Sequence, residues 1–484
     1  MKIFNKYTIN IIGLFFLFFL YSCSEDEAVL AEETTEEPDE NVIDSKKMDK
    51  IFQNKSHTKP LVNVFEEFSF LEAYSMVSTA DTLGGNFRIG GTADGAGFLK
   101  DGENFIYVVN FESDRSIGRI RFDEFLNPVS GDYLLDGGVA DYARQCSATM
   151  WESAINGGDK DIFLSASESY HYQVKALDPR IEIPTPTASF GLEALGEFAW
   201  ENAVPLPQKT YAGKTVILGG DDDSTDSAGQ VVLYYSENGD ADLENGKIYV
   251  LKAKQVSDGA GSQQLANSDE IYTEASFDFK ETYNVEFVEI EDGRNLTQDE
   301  MEKACIDVSA IQFMRVEDLD YQKGTDENAR NIYFAVTGGG GPASGTYNDW
   351  GTVYKLELDK ESPLKGKLTQ IVSGNTDSNN RDGNFDQLES PDNICVTENF
   401  VYIQEDPRSF LRGHSASIYQ SDLNGNNIKK VLEMSPLDDG RFKGEFGSLI
   451  DISGKVGIDN TFMLALMPKR AVKSQIVLLK NLPR

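Results

Sequence analysis

Three consecutive aspartates, Asp221, Asp222 and Asp223, follow Gly219-Gly220 at the end of an apolar run, Val216-Ile217-Leu218. Adjacent carboxylates repel one another, and either full solvation or a cation offsets that cost. Hard divalent cations take several oxygen ligands, and Asp/Glu clusters in loops are the usual way to hold them. Other apolar runs end in the same manner. FIYVVNFE delivers Asn110 and Glu112, FLSASES delivers Glu168, and VYIQEDP delivers Glu405 and Asp406. Taken singly, each is an ordinary solvated turn. Brought together in one low-dielectric pocket, they would be strongly destabilising without counter-cations. The chemistry to expect is that of a multi-cation site.

Converging these ends requires a particular architecture. Six segments share an apolar strand whose end turns small, polar or acidic: 105–112, 163–169, 216–223, 332–339, 401–407 and 462–468. Hairpin partners such as VVLYY (231–235), KIYVLKA (247–253) and VYKLELD (353–359) follow several of them. Spacings of roughly 50 to 70 residues suit the blades of a β-propeller. The expected fold is all-β, a six-bladed β-propeller with small helical insertions, the six segments forming its inner strands. One helix is expected within Asn295 to Val308, with Thr297 as cap and Met301 and Cys305 on one apolar face. The stretch Ser378 to Glu389 has a partial calcium-loop spacing but reads as a plain turn.

Composition bounds the function. With 80 acidic against 44 basic residues and a net charge of −36, the chain opposes a nucleic-acid partner, which demands clustered Lys and Arg. Four Cys and three His leave little material for zinc sites of the Cys/His kind. Residues 1–22 read as a lipoprotein signal peptide: Lys2 and Lys6, then a short apolar core from Ile11 to Leu20. Leu20-Tyr21-Ser22-Cys23 resembles a lipobox, making Cys23 the acylated N-terminus. Residues 23–54 form an acidic, flexible tether, and 55–484 the propeller domain. The expected setting is the outer membrane or cell surface, with a lipid bilayer reached through the Cys23 acyl anchor and the domain a monomer.

Across the domain the motif order carries a resemblance. Cys146 with Trp151 after it, FLSASES, GEFAWENAV, VILGGDDD, MRVEDLDY and SPDNICVTENFVYIQEDP together resemble the PhoX family of alkaline phosphatases. The resemblance implies a six-bladed propeller whose central pocket holds iron and calcium and hydrolyses phosphate monoesters. It implies Cys146 as a thiolate iron ligand and Glu168, Glu201, Asp221, Asp222, Asp223 and Glu317 as carboxylate ligands. Asp392 and Asn393 match its turn motif, and Glu112 joins them as a further metal candidate. Arg315 matches the arginine that would grip two phosphate oxygens. The cofactors expected are Ca2+ and Fe3+, and the partner a small phosphate ester. The chain departs from the family at Trp200 and Val316, which stand where the family has His and Pro. A non-catalytic calcium-binding propeller that serves ligand or partner binding is the alternative.

Overall fold

The computed structural model describes residues 45–138, 143–168, 173–182, 190–225, 228–339, 347–374, 383–408 and 410–484. The signal, Cys23, most of the tether and the start of the Ser378–Glu389 stretch lie outside the described residues. The end of the stretch read as tether is structured: a helix spans Ser45–Ile51, and Ile51 and Phe52 are buried.

Short antiparallel strands dominate, with few helices. They form four sheets of four or five strands, one sheet of nine and a separate two-stranded hairpin, Gln255–Ser257 with Gln263–Leu265, in a propeller-like arrangement. Six strands lie innermost: β1 (Ala93–Asp101), β2 (Gln145–Trp151), β3 (Trp200–Pro205), β4 (Val316–Tyr321), β5 (Pro391–Val396) and β6 (Glu445–Asp451). Each touches the next, and β6 returns to β1, so the ring is closed. Both chain ends contribute to closure, because Glu72–Ser78 pairs with Gln475–Lys480 in the sheet that begins with β6. In the nine-stranded sheet, Thr282–Glu289 pairs with Lys247–Ala253 on one side and Lys365–Ser373 on the other.

The apolar runs seen in the sequence are not the innermost strands. Asn104–Phe111, Ile162–Ser167, Thr215–Asp221, Asn331–Val336, Phe400–Glu405 and Thr461–Met467 each stand second, paired to β1 through β6 in turn. The reason is burial. A second strand is covered by neighbouring sheets on both faces, so it becomes mostly apolar, with its polar residues toward its ends. Val231–Ser236, one strand further out, is likewise buried along its whole length. An innermost strand faces the central channel and must be polar in part.

The helix expected near residue 300 spans Gln298–Asp307. Thr297 and Glu300 close it with a capping box, and Met301 and Cys305 are buried together.

Every innermost strand carries the same irregularity. Between Ala93 and Ala96, three steps on β1 face two on its partner, and the same extra residue recurs in β2, β3, β4, β5 and β6. A bulge of this kind bends the strand and re-aims its side chains. The pairs at the bulges are Asp94-Gly95, Cys146-Ser147, Glu201-Asn202, Glu317-Asp318, Asp392-Asn393 and Gly447-Ser448. Their second members lace the ring together. Asn202 Nδ2 donates to Asp318, Ile394 N donates to Asp318 Oδ2 at 3.2 Å, and Asn393 Nδ2 donates to Phe446 O at 3.3 Å.

Gly95 marks the tightest approach. A Cβ there would lie 2.1 Å from Ala148 N and 2.3 Å from Ser147 C, both backbone atoms. Gly95→Ala must therefore push β1 away from β2, at a cost of about 3 kcal/mol. Urea unfolding should show a lower midpoint with an unchanged slope; an unshifted midpoint would mean the two strands are not so closely held.

Candidate metal centre

The bulges divide the channel between two cavities. The first members Asp94, Cys146, Glu201, Glu317 and Asp392 line a cavity of about 420 Å3. Second members Ser147, Asn202, Asp318 and Ser448 line one of about 540 Å3, whose walls are more apolar. Loop ends after the second strands complete the smaller chamber, supplying Glu112, Glu168, Asp222 and Asp406, while Glu445 comes from the start of β6.

Its charge is lopsided. Nine carboxylates line it against four cations, Arg144, Arg315, Arg408 and Lys469. Burial pushes the carboxyls of Asp94, Glu201, Glu317 and Glu445 well above the ordinary range, and repulsion from neighbouring carboxylates adds to it, while the Arg315 charge partly offsets the push at Glu317 and the Lys469 charge does so at Glu445. Asp392 is pushed up to about 7 by burial and then by Asp406. Burial, reinforced by Glu168 and Glu201, likewise pushes the Cys146 thiol up. A folded chain can keep such an excess only by protonation or by counter-cations.

Among the described residues, two groups have ligand atoms within 4.8 Å of one another: Glu112, Cys146 and Glu168, and Glu168, Glu201 and Asp222. Glu168 belongs to both. Oxygen donors of this density fit calcium, and a thiol among carboxylates fits a softer ion such as iron. The donor set therefore suits the cations that the family resemblance implies.

Arg315 sits at the entry to β4 with a left-handed φ of +68°. Its Nε approaches Asp222 Oδ1 at 2.5 Å, and Nη2 approaches Glu317 Oε1 at 2.6 Å. Burial works against its charge, but Glu317 and Asp222 outweigh that and raise its pKa. Positive φ costs about 1 kcal/mol or more for a residue with a side chain. The same conformation recurs just before other innermost strands, at Thr92, Ser390 and Gly444. Lys469 pairs with Glu445, and with Asp406 at 3.5 Å.

A structure of Pseudomonas fluorescens PhoX in complex with vanadate, a transition state analogue, superposes with a TM-score of 0.60. The fold resembles that of PhoX. Identity is 11%, over 88% of this chain and 96% of that one, so the likeness speaks for the fold alone. A family-43 β-1,3-galactosidase with galactodeoxynojirimycin gives a TM-score of 0.35 at 11% identity, covering 83% of this chain and 94% of that one. Trypanosoma rangeli sialidase in complex with the inhibitor DANA gives 0.35 at 8% identity, covering 85% and 59%. These two superpose too loosely to argue from. No family model matches the sequence, and no curated relative matches it significantly.

Of the residues expected to bind metal, the chamber gathers Cys146, Glu112, Glu168, Glu201, Asp222, Glu317 and Asp392. The others do different work. The Asp221 carboxylate accepts from Ala199 N at 3.0 Å, and Asp223 holds the following turn through Thr225 N at 2.8 Å. Asn393 is the second member of its bulge and donates to Asp392 at 2.9 Å. Asn110 donates to Cys146 O at 2.6 Å, bracing the bulge from the neighbouring sheet. Glu405 is buried beside His414, 3.1 Å away, outside the chamber. Glu389, at the end of the supposed calcium loop, accepts from Leu411 N and Arg412 N.

Sequence reading did not single out Asp94, Arg144, Arg408, Glu445 or Lys469. The signal for one of them, Asp94, is the repeated pair of an acid, thiol or glycine followed by a small or polar residue at the start of each innermost strand.

Proposed function

We propose that this chain is a six-bladed propeller that hydrolyses phosphate monoesters in its acidic chamber with the help of bound cations. The count of six treats the nine-stranded sheet as two blades joined through Thr282–Glu289, and the separate bulged strands β3 and β4 support it. The excess of nine carboxylates over four cations in one buried chamber carries the reading.

Glu168, Glu201 and Asp222 would hold calcium, and Cys146 with Glu112 would hold iron. Glu317 and Asp392 complete the carboxylate wall. Such cations, when bound, polarise a phosphoryl oxygen and lower the pKa of water. The chain's own residues do the rest. Arg315 offers a planar fork for two phosphoryl oxygens and is oriented by the backbone turn at its own position. Lys469 and Arg408 add positive charge at the same chamber and draw an anionic ester inward. The N-terminal reading places the enzyme at the outer membrane or cell surface through Cys23.

One observation favours the alternative of a cation-binding propeller without turnover. Arg315 is spanned by Asp222 and Glu317, so a phosphate must compete with two carboxylates for it.

Chelation separates the two. The purified protein should hydrolyse an aryl phosphate, lose at least 100-fold of that rate in EDTA, and regain it with calcium. Calcium bound with no turnover selects the binding module, and no bound metal at all removes both readings.

A further inference from the structure

We infer that Arg144 is a built-in cation that competes with metal for the thiol end of the chamber. This rests on the cation-site reading and names the residue that sets affinity there. Arg144 immediately precedes β2, and Arg315 immediately precedes β4. Each stands two residues before the first member of its bulge, Cys146 or Glu317. The two arginines thus hold the same place in the repeat.

Both bridge a pair of carboxylates. Arg315 spans Asp222 and Glu317, while Arg144 spans Glu112 and Glu168, approaching the latter at 2.6 Å. Glu112 and Glu168, with Cys146, form one of the two groups able to share an ion. The guanidinium therefore already rests on the carboxylates that a metal at this end requires.

Exposure separates the two arginines. The Arg315 side chain is 12% exposed and that of Arg144 48%. A buried arginine leaves two carboxylates only at high cost, but a half-exposed one exchanges its ion pairs for water with little penalty. Arg144 neutralises the thiol end when metal is scarce and swings aside when metal arrives. Glu168 also belongs to the second group, with Glu201 and Asp222, so releasing Arg144 tightens binding at both.

Cobalt(II) is a suitable probe, because a thiolate ligand gives it a strong charge-transfer absorption. The full chain, stripped of metal, would be titrated with cobalt as wild type, Arg144→Gln and Cys146→Ser. Half-saturation of the band is expected at about tenfold lower cobalt in R144Q than in wild type, and C146S should lack the band. Equal midpoints, or a tighter wild type, overturn the assignment. If R144Q does not fold, Arg144→Lys carries the same test, its shift smaller but in the same direction, and no shift overturns the proposal. Equilibrium dialysis distinguishes the failures. No cobalt retained by any variant removes the cation-site reading itself, while cobalt retained equally by wild type and R144Q removes only the role of Arg144.

Discussion

Replacing Arg315 by alanine is expected to lower aryl phosphate hydrolysis by on the order of a thousandfold. Its fork is aimed into the chamber by a left-handed turn at φ +68° and held there by Asp222 and Glu317. The loss should fall mainly on kcat, because charge that builds on the phosphoryl oxygens needs the arginine more than the ground state does. Arg315→Lys should recover little of it, since an ammonium cannot contact two oxygens in one plane. The same substitution to alanine leaves Asp222 and Glu317 without their shared partner. In the metal-free protein that costs about 3–5 kcal/mol, and added calcium should return most of it. An R315A protein that folds, binds calcium and turns over at the wild-type rate would falsify the catalytic role.

The second large effect is on stability as a function of pH. Burial pushes Asp318 up to about 7, and burial with the Asp406 charge does the same to Asp392. Asp94, Glu201, Glu317 and Glu445 move in the same direction. A carboxyl whose folded pKa is raised favours the folded state while it is protonated. That contribution is complete below the ordinary value near 4 and is lost as pH climbs through about 7. For Asp318, which is 6% exposed, the loss across this window is on the order of 4 kcal/mol. The metal-free protein should therefore melt at a clearly lower temperature at pH 8 than at pH 5. Calcium should remove the part of the difference that comes from the chamber carboxyls, because a bound cation replaces their protons, and leave the part from Asp318, which lines the other cavity. A melting temperature that is level or rising with pH in EDTA would show that the acidic side chains are not buried together.

How much of this was legible beforehand follows from what a linear pattern records. The second strands stood out because sheets cover both of their faces, so runs such as Asn104–Phe111 and Thr461–Met467 are almost wholly buried. Thr297 with the acidic residues after it, and Met301 with Cys305, marked the longest helix among the described residues because capping and helical spacing are local. The acidic ends at Glu112, Glu168 and Asp222 pointed to one shared pocket, and they do line one. The sequence by itself thus determined strand content, the helix and an acidic surplus. It did not show which strands stand innermost, because β1 to β6 face the channel and carry no clean alternation. Only the closed ring, and one extra residue in each innermost strand, decided that Asp94 enters the chamber beside Glu201. The same geometry turned Asp221 and Asp223, neighbours of Asp222, to backbone hydrogen bonds. Adjacent carboxylates look alike along the chain, and the register of a bulge settles which one meets its distant counterparts.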